Sequence, residues 1–203
     1  MNSEVRGRLT RPERRAVIED AAAQLIAQQG YAATTLLQIA GAAGVTKQLL
    51  YQHVSSKREL YLSLLARHRD GLLARIGAAM AEPDDPAVWI RGTLDDWFSY
   101  LEEHPHAARL LFRDVTGDPE IEAFHDSMRA SARTANAEVL RRLAPSDDPV
   151  DVEILAELIR AATVGLALWW IEHPEVPRSQ LVRIASRTFV DAVTRSSRQD
   201  APR

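Results

Sequence analysis

Thr46, Lys47 and Gln48 put a hydroxyl, an ammonium and a carboxamide on three successive positions, and Gln52 adds a second carboxamide four residues on. Side chains of these types donate and accept directional hydrogen bonds; they are equipped to recognise a surface, not to carry out covalent chemistry. Tyr51 and His53 stand beside them and are suited to contacting phosphates from the flank. Thr35 and Lys57 fall where helices are expected to begin, and the free N–H groups and dipole of a helix N-terminus favour an anion. Catalytic constellations are missing. His104-Pro105-His106 cannot place two imidazoles on one helix face, and the sequence has no H-E-x-x-H, no G-x-S-x-G and no phosphate-binding glycine loop. Glu102-Glu103 and Asp147-Asp148 read as a helix end and a loop. No catalytic residue, metal site or cofactor is expected.

These side chains need a scaffold. The run from Thr34 to Val54 reads as a short helix, a tight turn at Gly44 and a second short helix behind Thr46. Ile39, Ala40, Val45, Leu50 and Val54 are spaced to lock the pair against a preceding helix, and Gly44 supplies the backbone freedom that a three- or four-residue turn demands. A second helix so placed can enter a major groove by its N-terminal end while the first crosses the backbone. The same geometry also occurs in helical bundles that bind no nucleic acid, where Tyr51 and His53 would cap a core.

The surrounding chain is helical throughout. Thr10 with Glu13, Thr35 with Gln38 and Ser56 with Glu59 each fit a capping box. Val17, Ile18, Ala21, Ala22, Leu25 and Ile26 form the apolar face of a first helix ended by Gly30. A fourth helix begins near Ser56 and carries Leu60, Leu64, Leu65, Leu72, Leu73 and Ile76 to about Met80. Prolines then divide the remainder into helical segments of roughly 85–103, 105–115, 119–143, 150–172 and 177–196, about nine helices in all. The fourth is long enough to belong to two parts of the molecule, as a connector without a flexible linker. No repeat or strand-like alternation appears, so the expected fold is all-α.

Composition sets the setting. The net charge is −3, but residues 1–60 hold 8 Lys/Arg against 5 Asp/Glu, with Arg6, Arg8, Arg11, Arg14 and Arg15 gathered near the start, while the remainder is acidic. That asymmetry fits a small phosphate-facing part on an acidic body. There are no cysteines, which excludes disulfides, thiolate zinc sites and a thiol nucleophile, and fits a reducing compartment. The longest strongly apolar run, Ala161–Ile171, is far short of the roughly 20 residues that cross a bilayer, and the N-terminal stretch has no apolar signal core. A cytoplasmic location without membrane association is expected.

Several spaced elements together resemble the TetR family of transcriptional regulators: Arg14-Arg15-Ala16-Val17-Ile18-Glu19-Asp20-Ala21-Ala22, Gly30-Tyr31-Ala32-Ala33-Thr34-Thr35, Ile39-Ala40 with Ala43-Gly44-Val45, and Leu50-Tyr51-Gln52-His53-Val54 followed by Ser56-Lys57. The resemblance implies an N-terminal three-helix DNA-binding domain over 11–71, with its helix-turn-helix at 34–53, joined by a long helix to a C-terminal helical domain over 72–203 for ligand binding and dimerisation. It also implies a homodimer that represses transcription from an inverted-repeat operator in double-stranded DNA and is released by a small-molecule effector. Carried onto this chain, the DNA contacts fall on Thr35, Thr46, Lys47, Gln48, Tyr51, His53 and Lys57, with Gln52 beside them. Leu37 stands where the family often has Arg or another polar residue, and Leu49 where Thr or Ser is frequent. Base reading is therefore expected to centre on Gln48, with Leu49 suited to a thymine methyl. A ligand-independent regulator or activator is the alternative.

The C-terminal half adds two expectations. Ala161 to Trp170 is apolar on nearly every side, and a helix of that kind needs two partners: its own domain and, with Ala161, Ala162 and Gly165 permitting close approach, a second subunit. The next helix offers a matching stripe of Leu181, Ile184, Ala185, Thr188, Phe189 and Ala192, so two helices from each protomer would form a four-helix interface. The other reading is a core helix in a monomer. Trp89, Trp97, Phe98, Tyr100, Phe112, Phe124, Met128, Trp169 and Trp170, with the polar groups Arg109, Arg113 and His125, either line a pocket for a largely apolar ligand or pack as core.

Overall fold

The computed structural model describes residues 9–78, 85–113, 117–143 and 148–199. Within them the chain forms helices and no strand: α1 (Arg11–Gln29), α2 (Leu36–Ala42), α3 (Lys47–Tyr51), α4 (Lys57–Ala78), α5 (Pro86–Glu103), α6 (Ala107–Phe112), α7 (Pro119–Leu143), α8 (Pro149–Trp170) and α9 (Arg178–Gln199). Met80, where the fourth helix was expected to end, and Arg6 and Arg8 lie outside the described residues. Two compact units divide between Ala66 and Arg67, inside α4.

Local chemistry explains the boundaries. Thr10 caps α1 through a complete capping box with Glu13, and Pro12 sits in the first turn, where no intrahelical N–H is required. Gly30 ends the helix at φ 86°, a conformation that disfavours any side chain. Thr35 and Gln38 form a second complete box at α2. At α4 the Ser56 hydroxyl accepts from the Glu59 N–H at 3.0 Å, while the Glu59 carboxylate reaches the N–H of Ser55 at 3.2 Å. Asp85 and Asp148 cap α5 and α8, each followed by proline.

In the first unit Ile18, Ala22 and Ile26 of α1 meet Ile39 and Ala40 of α2, Leu50 and Val54 at α3, and Leu60, Leu64 and Leu65 of α4, all essentially removed from solvent. Each such large aliphatic side chain contributes about 1.5–3 kcal/mol by burial. A half-buried polar tie runs alongside: the Arg15 Nε donates to Glu19 at 2.7 Å, its Nη2 to Glu59 at 3.1 Å and Ser63 at 3.3 Å, and its Nη1 to the His53 carbonyl. One guanidinium thus fastens α1 to the end of α3 and the start of α4.

In the second unit α5 packs along α9, α7 along α8, and α6 against α8. The α5 face made by Ile90, Leu94, Trp97, Phe98 and Leu101 is buried, as is the α9 face made by Leu181, Val182, Ala185, Phe189 and Val193. Arg178 of α9 bridges to Asp95 at 3.4 Å and Glu102 at 3.2 Å on α5. No described helix is long and apolar enough to cross a membrane.

Candidate nucleic-acid interface

The turn between α2 and α3 is closed by main-chain hydrogen bonds from Gly44 N to Gly41 O (3.1 Å) and from Val45 N to Ala40 O (3.0 Å), with Gly44 at φ 65°. An added Cβ would meet nothing within 4 Å there, so glycine is required by conformation and not by crowding. Thr46 caps α3, its hydroxyl accepting from the Leu49 N–H at 3.2 Å. With Leu50 and Val54 sunk in the core, Lys47, Gln48, Tyr51 and Gln52 are left exposed. Lys47 Nζ lies 5.9 Å from the centre of the Tyr51 ring.

The other expected contacts have additional duties. Thr35 is exposed, but its hydroxyl is engaged with Gln38. Lys57 is half-buried; its ammonium donates to the carbonyls of Tyr31 at 2.8 Å and Thr34 at 2.9 Å and lies 4.2 Å from the Tyr31 ring centre. It ties the α1–α2 loop to the start of α4, a role that sequence spacing did not reveal. His53 is half-buried, and burial together with the nearby charges of Arg11, Arg14 and Arg15 pushes its imidazole below the ordinary histidine range. Arg11 and Arg14 join Leu49, Gln52 and His53 around an open cleft of about 490 Å³. These two arginines were visible only as part of a basic cluster; their i, i+3 spacing on α1 was the signal that placed them on one face. Leu37 stands out from α2 with 68% of its surface exposed.

In the second unit the aromatic residues separate into groups. Trp97, Phe98, Phe112 and Trp170 form a packed cluster, with ring centres 4.8 Å apart for Trp97–Phe98 and 5.6 Å for both Trp97–Phe112 and Phe98–Trp170. The Trp170 indole donates to the Val176 carbonyl at 2.8 Å. Trp169, in contrast, is exposed and stacks on His173 at 4.1 Å. Tyr100 is buried with its hydroxyl 3.1 Å from Nδ1 of His68. Phe124 carries the Arg69 guanidinium at 5.1 Å, His125 is buried with Nδ1 3.1 Å from the Leu111 carbonyl, and Trp89 and Met128 are half-buried. Arg113 is exposed, 3.9 Å from Glu172, whereas Arg109 is half-buried. The Nε of Arg109, Nε2 of His68 and Oγ1 of Thr93 are buried without a hydrogen-bond partner.

The expected interface residues separate as well. Leu181, Ala185 and Phe189 are buried within their own unit, on the α9 face that packs along α5, and so offer no free surface; Ala192 is half-buried. Ile184 and Thr188 of α9 and Ala161, Ala162 and Gly165 of α8 are exposed. Within the stretch Ala161–Trp170, read from the sequence as apolar on nearly every side, Ala167 and Trp170 are buried and Trp169 faces out; in the first half of α8 Val152 and Ala156 are buried and Val150, Ile154 and Leu158 face out.

A short capped helix presented on a glycine turn by two supporting helices is a helix-turn-helix module. Residues 18–64 match the family model of bacterial regulatory proteins of the tetR family, and residues 85–200 match that of the tetracyclin repressor-like C-terminal domain. The chain is 38% identical over 117 residues to the HTH-type transcriptional activator FasR of Mycolicibacterium smegmatis, covering 57% of this chain and 53% of FasR. It is 33% identical over 101 residues to the HTH-type transcriptional repressor KstR2 of Mycobacterium tuberculosis, covering 50% of each. The chain therefore spans about half the length of these curated relatives. A TetR-like transcriptional regulator from Rhodococcus sp. RHA1 shares the fold with a TM-score of 0.76 at 22% identity, over 92% of this chain and 99% of that one. This chain belongs to the tetR family of bacterial regulatory proteins, a family of DNA-binding transcriptional regulators and not of enzymes.

Proposed function

We propose that the chain acts in the cytoplasm as a homodimer that inserts α3 of each protomer into successive major grooves of an inverted-repeat operator and represses by covering the promoter. The observation that carries this reading is the outward set Lys47, Gln48, Tyr51 and Gln52 on a helix anchored from behind by Leu50 and Val54. Gln48 reads a base edge near the N-terminal end of α3, while Thr35, Thr46, Tyr51, His53 and Lys57 hold flanking phosphates. Mapping of bound genomic DNA supplies the operator. On a panel of single-base operator variants, Gln48→Ala then loses discrimination at one position per half-site, about 1–3 kcal/mol, and keeps its salt dependence. Equal losses on every variant would defeat the assignment.

The exposed apolar stripe of α8, with Ile184 and Thr188 of α9, supports dimerisation through these two helices. Release by a small, largely apolar ligand with a polar head is supported by the unpartnered Thr93, Arg109 and His68 atoms in a unit rich in aromatic side chains. Such a ligand acts by favouring one of two spacings of the α3 helices. Activation is the second reading, favoured by the similarity to FasR, a transcriptional activator. A promoter–reporter fusion separates the two, because deleting the regulator raises output under a repressor and lowers it under an activator.

A further inference from the structure

Three arginines, Arg11, Arg14 and Arg15, crowd the first turns of α1. A helix N-terminus carries partial positive charge, so cations there oppose the dipole, and nothing in helix stability calls for them. Their surroundings differ. Arg15 is neutralised by Glu19 and Glu59. Arg14 donates to the carbonyl of Leu9 at 3.2 Å and Arg11 is exposed, and neither meets a carboxylate among the described residues. Glu13, the acidic residue between them, is turned to the cap, where its carboxylate accepts from the Thr10 N–H at 2.7 Å and hydroxyl at 2.8 Å.

Both uncompensated guanidiniums border the cleft of about 490 Å³ whose other walls are Leu49, Gln52 and His53. Among the described residues, no carboxylate lines it. Leu49 belongs to α3 and Gln52 and His53 are the two positions just beyond it, so the cleft adjoins the helix read above as the groove-entering one. A helix lying in a major groove has a phosphate backbone along each side, and a positively charged cleft beside its C-terminal end meets one of these backbones. Burial first, and then the charges of Arg11, Arg14 and Arg15, hold the His53 imidazole at its edge below the ordinary histidine range.

We infer that this cleft is a seat for one backbone phosphodiester of the bound duplex, gripped by Arg11 and Arg14 with the Gln52 carboxamide and His53 at its edge, so that α1 joins the DNA-binding surface. The inference rests on the reading of α3 as the groove helix and extends it to two residues outside the helix-turn-helix. It requires no base contact, so the seat strengthens binding to every sequence alike.

The test is the salt dependence of duplex binding by the full chain with Arg11→Gln and Arg14→Gln combined. Each neutralised phosphate contributes a slope of about −0.9 in log K against log salt, so losing one per protomer makes the slope on a two-half-site operator shallower by about 2. The variant binds roughly tenfold or more weakly at low salt, and the gap closes as salt rises from roughly 50 to 200 mM. Its discrimination among operator variants is unchanged. Arg11→Lys with Arg14→Lys restores most of the slope. A scan of neutral methylphosphonate links along one half-site then finds one position that weakens the wild type and not the Gln variant. Competition by inorganic phosphate at constant ionic strength that depends on Arg11 and Arg14 would instead assign the seat to the free ion and overturn the inference. A Gln variant with wild-type slope and affinity overturns the seat alone; a wild type that binds no duplex overturns the groove reading as well.

Discussion

The ammonium of Lys57 lies against Tyr31 in two ways at once, donating to its carbonyl at 2.8 Å and standing 4.2 Å from the centre of its ring. With the further bond to the Thr34 carbonyl, at least two of its three donors are spent inside the protein. A charge-assisted hydrogen bond contributes about 1.5–3 kcal/mol, and a part-buried cation–π contact about 1 kcal/mol. Lys57→Met therefore lowers the stability of the first unit by roughly 2–3 kcal/mol, read as a lower unfolding midpoint in urea. It also weakens binding to all duplexes evenly. Unchanged stability with weaker binding would mean that Lys57 serves phosphate alone.

A comparable close fit in the second unit yields a steric prediction. A Cβ on Gly71 of α4 would stand 2.6 Å from the Tyr100 hydroxyl oxygen and 2.9 Å from its ring carbon Cε2. Alanine in a helix gains about 1 kcal/mol over glycine, but forcing a rigid buried ring aside costs about 1–3 kcal/mol. The clash wins, and Gly71→Ala lowers the Tm. Tyr100→Phe relieves the oxygen contact and leaves the ring contact, so in the double variant the Gly71→Ala penalty shrinks without vanishing. A Tm raised by Gly71→Ala would show that the ring moves freely.

Capping was legible because it is local: the partners in the Thr10–Glu13 and Thr35–Gln38 boxes are three positions apart, and both boxes form with the reciprocal bonds expected. Gly30 and Gly44 likewise announce themselves through positive φ. What escaped depends on distant partners. Among Arg11, Arg14 and Arg15, the one that is neutralised is chosen in part by Glu59, 44 positions away. The α9 stripe was read correctly as apolar, yet i, i+4 spacing cannot say whether α5 or a second copy covers it; the answer separates Leu181 and Phe189 from Ile184. The aromatic residues posed the same difficulty, since Trp169 and Trp170 are adjacent in sequence and one is exposed while the other packs on Phe98.

His68 makes the second unit sensitive to acid. Burial, then the charges of Arg67, His104 and His106, pushes its imidazole down to about 4, and Tyr100 faces its Nδ1 while Nε2 has no partner. The folded protein therefore binds fewer protons than the unfolded chain between pH about 4 and the ordinary histidine value of 6.5. Stability contributed by neutral His68 is full above that window and is lost as pH falls through it, by on the order of 3 kcal/mol. His68→Gln flattens this part of the pH–stability curve, which calorimetry between pH 7 and 4 resolves. Parallel curves for variant and wild type would place the acid sensitivity elsewhere.

The outward face of α8 bears on how a helix as short as α3 achieves selectivity. Val150, Ile154 and Leu158 expose 54–60% of their surface at successive i, i+4 positions, leading to Ala161, Ala162 and Gly165, while Val152 and Ala156 hold the opposite face in the core. Leu158→Glu puts a charge in the middle of that stripe at a position with 60% of its surface exposed, so the helical spectrum and Tm change little. Covered by a second copy, the same charge is desolvated without a partner, and sedimentation at micromolar concentration gives a dimer for the wild type and a monomer for the variant. One α3 contacts too few base pairs to be selective alone, and tethering two raises apparent affinity by about 10²–10⁴. The variant therefore loses binding to an inverted repeat by about that factor and binds it no more tightly than a single half-site. A wild type that sediments as a monomer, or a Leu158→Glu protein that stays dimeric with full operator affinity, would remove α8 from the interface and leave its apolar stripe to another partner.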